Sequence, residues 1–280
     1  MRILLTGGSG DLGRTLTPVL TEAGHEVSII DPAEPDFPCH LYHPGSLLDL
    51  YTLISAASDV DIVIHIAAWH GIHESNAWKT QQEFWELNVL GTKSVVDVWS
   101  GGVFPRLIHI SSSSVFKNTG YYGFTKRLAE QIIDQAAQAH RLKSITLRPR
   151  GFIPDSNRSV YASFADWAQY FWQGAVHIQD VVQAVLKSVD KLPEVAAGSN
   201  PKLMLDRLPD FDADELKHWD EKGPGSSFSH KYPQYQEIAL KAGLAIHLKP
   251  KTYDISETQT FLNYNPKYSL KGMLEELTGR

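Results

Sequence analysis

"MRILLTGGSGDLG", residues 1 to 13, runs from a short apolar stretch straight into closely spaced glycines. Ile3, Leu4 and Leu5 read as a buried strand, and an amphipathic helical pattern begins just after Gly13. Read from Gly8, the turn satisfies G-x-G-x-x-G; read from Gly7, "TGGSGDLG" also satisfies T-G-x-x-G-x-x-G. Such glycines let the chain turn tightly and bring backbone N–H groups against a pyrophosphate at the positive end of a helix. An isolated match is equally a glycine-rich turn without a ligand, so the next strand decides. "EVSIID" ends at Asp31, 18 residues beyond Gly13, close to the roughly 20 expected for an acid that hydrogen-bonds an adenosine ribose. An acid there favours the free 2′-OH of NAD and repels the 2′-phosphate of NADP, and "DPAEPDF" supplies no Arg or Lys to reverse this. NAD is the predicted cofactor.

Beyond this unit, the apolar runs "DIVIHIAA", "RLIHISSS" and "SITLRP" alternate with "SLLDLYTLISAAS", "FWELNVLGTKSVVDVWS" and "TKRLAEQIIDQAAQAHR", which carry apolar residues at helical spacing. Alternation of this kind predicts an α/β fold: a Rossmann-type, doubly wound parallel sheet with helices on both faces. After about residue 155 the pattern loosens, and "LPDFDADELKHWDEKGPGSSFSHKYPQ" is polar, aromatic and rich in Gly and Pro. The expected division is an NAD-binding domain over 1–153 and a small substrate-binding region over 154–280, with 176–190 returning to the Rossmann core. With 280 residues, 42% hydrophobic, 21% charged and a net charge of −6, the chain has material for a sizeable core and no basic footprint for nucleic acid or an anionic membrane. No stretch approaches the roughly 18 apolar residues of a membrane span. The lone Cys39 rules out an internal disulfide framework. The expectation is a cytoplasmic protein.

Chemistry beside the cofactor needs groups at the carboxyl ends of the strands, where open α/β sheets bind ligands. "RLIHI" delivers Ser111 to Ser114 there, and ten residues after Ser112 comes Tyr122, followed by Lys126. Four apart on a helix, Tyr122 and Lys126 share a face about 6 Å apart along the axis. A phenol titrates near 10, so it serves as a base at neutral pH only where a nearby cation favours its ionised form. Lys126 is placed to do that. The adjacent Tyr121 lacks such a partner and is expected at the mouth of the site. In "AAWHGIHESNAW", His70 is read as facing substrate; His70 and His73, three apart with Glu74 beside them, are two histidines on a loop without a convincing third metal ligand, so no metal is expected. Arg150 is read as a partner for an acidic substrate group, Arg148 as that or a structural ion-pair partner, and Asp180 as a helix N-cap.

These residues resemble the extended short-chain dehydrogenase/reductase superfamily and its NAD-dependent epimerase/dehydratase family. The matching elements are "MRILLTGGSGDLG", "EVSIID", "DIVIHIAA", "NVLGT" at 88–92, "ISSSSVF" at 110–116, "YGFTKRLAE" at 122–130, "TLRPRGF" at 146–152 and "VHIQDVVQAV" at 176–185. A weaker echo lies in "YDISETQTFLNYNPKYSLKGMLEEL". The resemblance implies that Ser112 hydrogen-bonds the substrate oxygen, that Tyr122 is the acid/base and that Lys126 tunes it and binds the nicotinamide ribose. It further implies that Gly7, Gly10, Asp11 and Leu12 line the pyrophosphate, Asp31 the adenosine ribose, and Ile66, Ala67 and Ala68 the cofactor, with Asn88 holding nearby backbone. Where the family has an adenine-contacting Asp at the end of its third strand, "HPGSLLD" places Ser46, followed by Leu47.

The implied function is hydride transfer between NAD and a hydroxyl-bearing carbon of a sugar, sugar acid or similar small polyol, in carbohydrate metabolism. The short segments between Phe116 and Tyr122 and between Pro154 and Val176 point to a smaller or differently held substrate than a nucleotide sugar. Two alternatives stay open: an epimerase that retains its cofactor, and a non-catalytic NAD-sensing regulatory protein. Family resemblance also implies a homodimer through the helices after "FWELN" and "YGFTK". The stripes Leu87, Leu90, Val95 and Val98, with Leu128, Ile132 and Ala136, permit it, and they equally suit sheet-facing core.

Overall fold

A computed structural model describes residues 1–101 and 105–280. Its strands are β1 (Arg2–Thr6), β2 (Glu26–Asp31), β3 (Leu41–Pro44), β4 (Ile62–His65), β5 (Arg106–Ile110), β6 (Lys143–Pro149) and β7 (Lys202–Leu205). They form one parallel sheet in the order β3-β2-β1-β4-β5-β6-β7. The order reverses between β1 and β4, and in a doubly wound sheet that reversal opens a crevice beyond the strand ends. The sequence pattern marked the five apolar strands but not β3 and β7. Both are edge strands of only four residues, β3 partly exposed along its length and β7 alternating buried Leu203 and Leu205 with half-buried Lys202 and Met204, so neither has the long apolar run of a central parallel strand.

Between the strands lie α1 (Asp11–Glu22), α2 (Leu50–Ala57), the short α3 (Gly71–Ser75) and α4 (Gln81–Phe84), then α5 (Thr92–Trp99), α6 (Tyr121–His140), α7 (Phe164–Gly174) and α8 (Ile178–Lys191). A π-helical stretch, Trp85–Gly91, joins α4 to α5. Leu12, Leu16 and Leu20 of α1 and Val181, Val185 and Val189 of α8 pack on one face of the sheet. Leu53 of α2, Val95 and Val96 of α5 and Ile133, Ala136 and Ala137 of α6 pack on the other. Val95 and Ala136, read as part of a dimer stripe, are thus sheet-facing core, whereas Leu90 is 38% exposed.

The C-terminal part has its own aromatic core. Trp167, Phe171 and Trp172 of α7 meet Phe211, Trp219 and Phe228, drawing in α9 (Ala213–Lys222) and α10 (Ser226–Lys231) together with α11 (Gln236–Lys241) and α13 (Leu270–Gly279). The division along the sequence is less clean than expected, because β7 extends the sheet and Leu262 of α12 (Ser256–Leu262) joins the sheet core. Asp180 is not an N-cap. His177 fills that position, its Nδ1 accepting from Gln179 N at 3.2 Å, while the Asp180 carboxylate accepts from Lys267 N (2.8 Å) and Tyr268 N (3.2 Å). Among the described residues no helix is long and apolar enough to cross a membrane.

Candidate active site

The glycine turn is shaped by close approaches. Gly7 has φ +68°, and a Cβ there would lie 2.6 Å from Ala67 Cα at the end of β4; a Cβ on Gly13 would lie 2.0 Å from Gly8 O. Side chains at either position would push the turn off β4 or α1 off the turn. Gly10 differs, since a Cβ there would meet only Gly7 O, at 3.5 Å. No side chain caps α1 at Gly10, so its first N–H groups are left for a ligand. That open, uncapped N-terminus fits a pyrophosphate.

Gly10 borders a cavity of about 1550 Å³ that runs along the carboxyl ends of the strands. Asp31, Ser46 and Leu47 line one part of it, and Gly7, Asp11, Leu12, Ile66, Ala67 and Ala68 another. The Asp31 carboxylate accepts from Ser9 N (3.1 Å) and Ala33 N (2.9 Å), which fixes its orientation. Asp11 accepts from Asn157 Nδ2 at 2.8 Å, linking the glycine turn to the chain after β6.

Ser112, Tyr122 and Lys126 line the same cavity. Ser112 follows β5 and accepts from Ser114 N at 3.1 Å, so the serine cluster closes a tight turn that faces the first turn of α6. Burial pushes the Tyr122 phenol up to about 12, and a hydrogen bond with Ser112 opposes the rise. Lys126 is 3% exposed. Its Nζ donates to Ile110 O (2.7 Å) and lies 3.2 Å from His109 Nε2; burial lowers its pKa to about 8, against the attraction of Glu130. Burial is thus the largest influence on both groups, and the ammonium is bonded to β5.

Asn88, in the π-helical stretch, clamps the loop after β4: Trp69 N donates to its Oδ1 (2.8 Å), and its Nδ2 donates to Trp69 O (2.9 Å) and Thr125 Oγ1 (3.0 Å). His70 lines the cavity and is lowered to about 4 by burial and by His73, so it is a neutral imidazole at pH 7. No group of three His, Cys, Asp or Glu able to hold a metal occurs among the described residues. Glu74, weighed only as a metal ligand, instead caps α6: its carboxylate accepts from Tyr121 N and, at 3.2 Å, from Tyr122 N. Tyr121 packs its ring on Phe84 and Phe124 and is not part of the cavity wall, contrary to its expected place at the mouth.

Arg148 is a structural ion-pair partner, forked onto Glu130 at 2.9 and 2.6 Å, and Ser111 donates to the same carboxylate at 2.6 Å. Arg150 lies in the cavity wall with its guanidinium already engaged by Asp206 (3.0 Å), Lys251 O and Gln173 O. Sequence reading missed Tyr170, which reaches the cavity from α7; its hydroxyl sits 1.6 Å from where a Cβ on Gly151 would be. Gly151 in "RPRGF" was the available signal, a small residue making room for a side chain 19 positions later.

A parallel sheet with an uncapped glycine turn and an acid at the end of β2 on one cavity defines a dinucleotide-binding Rossmann protein. Residues 3–156, more than half the chain, match the model of the NAD dependent epimerase/dehydratase family. The chain belongs to that family, and its cofactor is NAD. It is 29% identical over 172 residues to 2-alkyl-3-oxoalkanoate reductase of Stenotrophomonas maltophilia, covering 54% of this chain and 50% of that protein. It is 24% identical over 290 residues to UDP-N-acetylglucosamine 4,6-dehydratase (inverting) of Campylobacter jejuni, covering 94% and 81%. The chain spans about half the length of the first curated relatives it matches. Among solved structures, UDP-glucuronic acid 4-epimerase from Bacillus cereus with UDP-glucuronic acid and NAD superimposes with a TM-score of 0.72 at 18% identity, over 98% of this chain and 97% of that one.

Proposed function

We propose that the protein interconverts an alcohol and a carbonyl on a small sugar, sugar acid or similar polyol, with NAD as cofactor. The observation that carries this reading is the presence of Ser112, Tyr122 and Lys126 on the cavity that also holds the uncapped glycine turn and Asp31. When bound, the cofactor would supply the hydride acceptor in oxidation, as NAD, and the hydride donor in reduction, as NADH. In alcohol oxidation Tyr122 Oη takes the substrate hydroxyl proton while Ser112 Oγ hydrogen-bonds the oxygen on which carbonyl character develops; in reduction Tyr122 returns the proton. Proton transfer and oxygen stabilisation each contribute on the order of 2–4 kcal/mol of barrier lowering. Lys126 serves the nicotinamide ribose, Asp31 the adenosine ribose, Ser46 and Leu47 the adenine side, and Gly7, Gly10, Asp11 and Leu12 the pyrophosphate. His70 is assigned to substrate as a neutral hydrogen-bonding group. Arg150 is assigned to the wall, because its guanidinium is already paired.

A homodimer is supported by family resemblance and by exposed Leu90 and Phe124, and a cytoplasmic location by the single cysteine. Likeness to a nucleotide-sugar dehydratase over 94% of this chain and 81% of that protein supports a second reading, an enzyme that recycles bound NAD on a nucleotide sugar. Mixing the protein and NAD with a panel of sugars, sugar acids and UDP-sugars separates the two. Net NADH marks the dehydrogenase; an altered sugar without net NADH marks the recycling enzyme. In either case Tyr122→Phe is expected to lower turnover by about 10²–10⁴ while retaining NAD binding, and full activity in that variant rejects the assignment of Tyr122. Tight NAD binding with no turnover across the panel favours an NAD sensor.

A further inference from the structure

We propose that His109 is the positioning residue for Lys126, fixing the ammonium through a neutral imidazole in the Nδ1–H tautomer without cancelling its charge. The inference rests on the role given to Lys126 above only for its functional consequence, since the contact itself is structural. His109 lies on β5 with no exposed surface, and its Nε2 is 3.2 Å from Lys126 Nζ. An ammonium has only donors. His109 Nε2 therefore accepts, and the ring proton must sit on Nδ1. Nδ1 is buried and, among the described residues, has no hydrogen-bond partner. A buried unpaired N–H is unfavourable, so the ring's orientation is set by the lysine rather than by its own needs.

The neighbours show why an imidazole suits this place. His65 stacks on His109 with ring centroids 5.6 Å apart. Thr92 Oγ1 donates to Asn88 O at 2.7 Å, so it accepts from His65 Nε2 at 2.9 Å, and His65 Nδ1 accepts from Thr6 Oγ1 at 2.7 Å. That ring is neutral as well. Glu130, one turn along α6 from Lys126, has both carboxylate oxygens on Arg148 and one also on Ser111. The carboxylate nearest along α6 is thus matched elsewhere. Two of the three ammonium donors are taken by uncharged acceptors, Ile110 O and His109 Nε2, and Lys126 also lines the cavity. A carboxylate at position 109 would neutralise the lysine, and an aliphatic residue would leave its long side chain free to rotate. The imidazole orients it and leaves its charge directed at what enters the cavity.

Nitrogen-15 NMR of histidine-labelled protein without cofactor tests the contact directly, with the His109 signals assigned by their loss in His109→Gln. A proton on Nδ1, and an Nε2 shift that moves in Lys126→Met but not in Lys93→Met, are expected. A proton on Nε2, or an Nε2 signal indifferent to Lys126→Met, overturns the proposal. NAD titration reads the consequence: His109→Leu is expected to bind about tenfold more weakly at an unchanged melting temperature, and His109→Gln, whose amide oxygen accepts, within about threefold of the parent. Equal affinities, or loss of melting temperature in both variants without a split in affinity, reduce His109 to a packing residue. Neither measurement requires turnover, so failure of the enzymatic reading and failure of this one are told apart.

Discussion

Tyr122 and Lys126 are shifted in opposite directions by one cause. Burial disfavours charge, raising the phenol to about 12 and lowering the ammonium to about 8. Alcohol oxidation draws on the phenolate, whose fraction grows tenfold per pH unit below its pKa. The oxidation rate is therefore expected to climb with pH from 6 upward and to bend near pH 8, where Lys126 loses its charge. Carbonyl reduction draws on the protonated phenol and is expected to stay level across the same range. Profiles of kcat/KM in both directions check this, and Lys126→Met is expected to remove the bend; a level oxidation profile would reject Tyr122 as the base. At the other end of the cavity, Asp31 is oriented by Ser9 N and Ala33 N. Asp31→Asn is expected to weaken NAD binding about tenfold and to narrow the preference over NADP, read by titration with both cofactors. Asp31, Tyr122 and Lys126 were legible in the sequence because each lies at a fixed offset from a local signal. Glu74 and Tyr170 were not, because folding brings them to the site from 47 residues before Tyr121 and 19 after Gly151.

At the scale of elements, α6 carries both of these groups but supplies no cap of its own. Its N-cap is Gly120, at φ +96° and with no side chain to accept from the first N–H groups. Glu74 on α3 does this from outside, and its charge meets the positive end of the helix. A Cβ on Gly71 of the same short helix would lie 3.4 Å from the Tyr122 ring, so α3 and the first turn of α6 are in contact distance. Glu74→Ala is expected to cost about 1–2 kcal/mol of stability and to lower kcat more than it weakens NAD binding, because it loosens the turn holding Tyr122 and leaves the glycine turn intact. Glu74→Gln, which keeps an acceptor, is expected to fall between the parent and Ala. Denaturant melts beside steady-state kinetics read both effects, and an Ala variant with parental stability and turnover rejects the cap. A remote cap leaves no S/T-x-x-E signature, which is why α6 looked self-sufficient as a pattern of apolar spacing. Edge strands β3 and β7 escaped for a related reason: each is only four residues long, too short a run to mark a strand without its pairing to β2 or β6.

Across the whole molecule the doubly wound sheet was legible because its five inner strands are apolar enough to be buried on both faces, while the aromatic core of the C-terminal part depends on contacts among distant helices. One property emerges only when the parts are assembled: burial lowers seven histidines among the described residues, four of them far below their ordinary value. His65 is lowered to about 3, His70 and His177 to about 4, and His109 well below its ordinary value. In the unfolded chain each binds a proton below about 6.5, so the unfolded state holds more protons than the fold as the pH drops. Stability is therefore complete above pH 6.5 and is lost on acidification, by up to about 1.4 kcal/mol per histidine per pH unit. Against the roughly 5–15 kcal/mol that holds a domain together, four such groups make pH 5 a hazardous condition. Asp180 and Asp210, raised by burial, act in the opposite sense, adding stability as the pH falls from their raised folded values toward 3.8. The melting temperature is expected to fall steeply between pH 6.5 and 4.5 with little change from 6.5 to 8. His177→Asn keeps an N-cap acceptor for α8 and removes one titrating ring, so its curve should be shallower than that of the parent by one histidine's share. A parental melting temperature that stays level down to pH 4.5 would show that these rings accept protons within the fold.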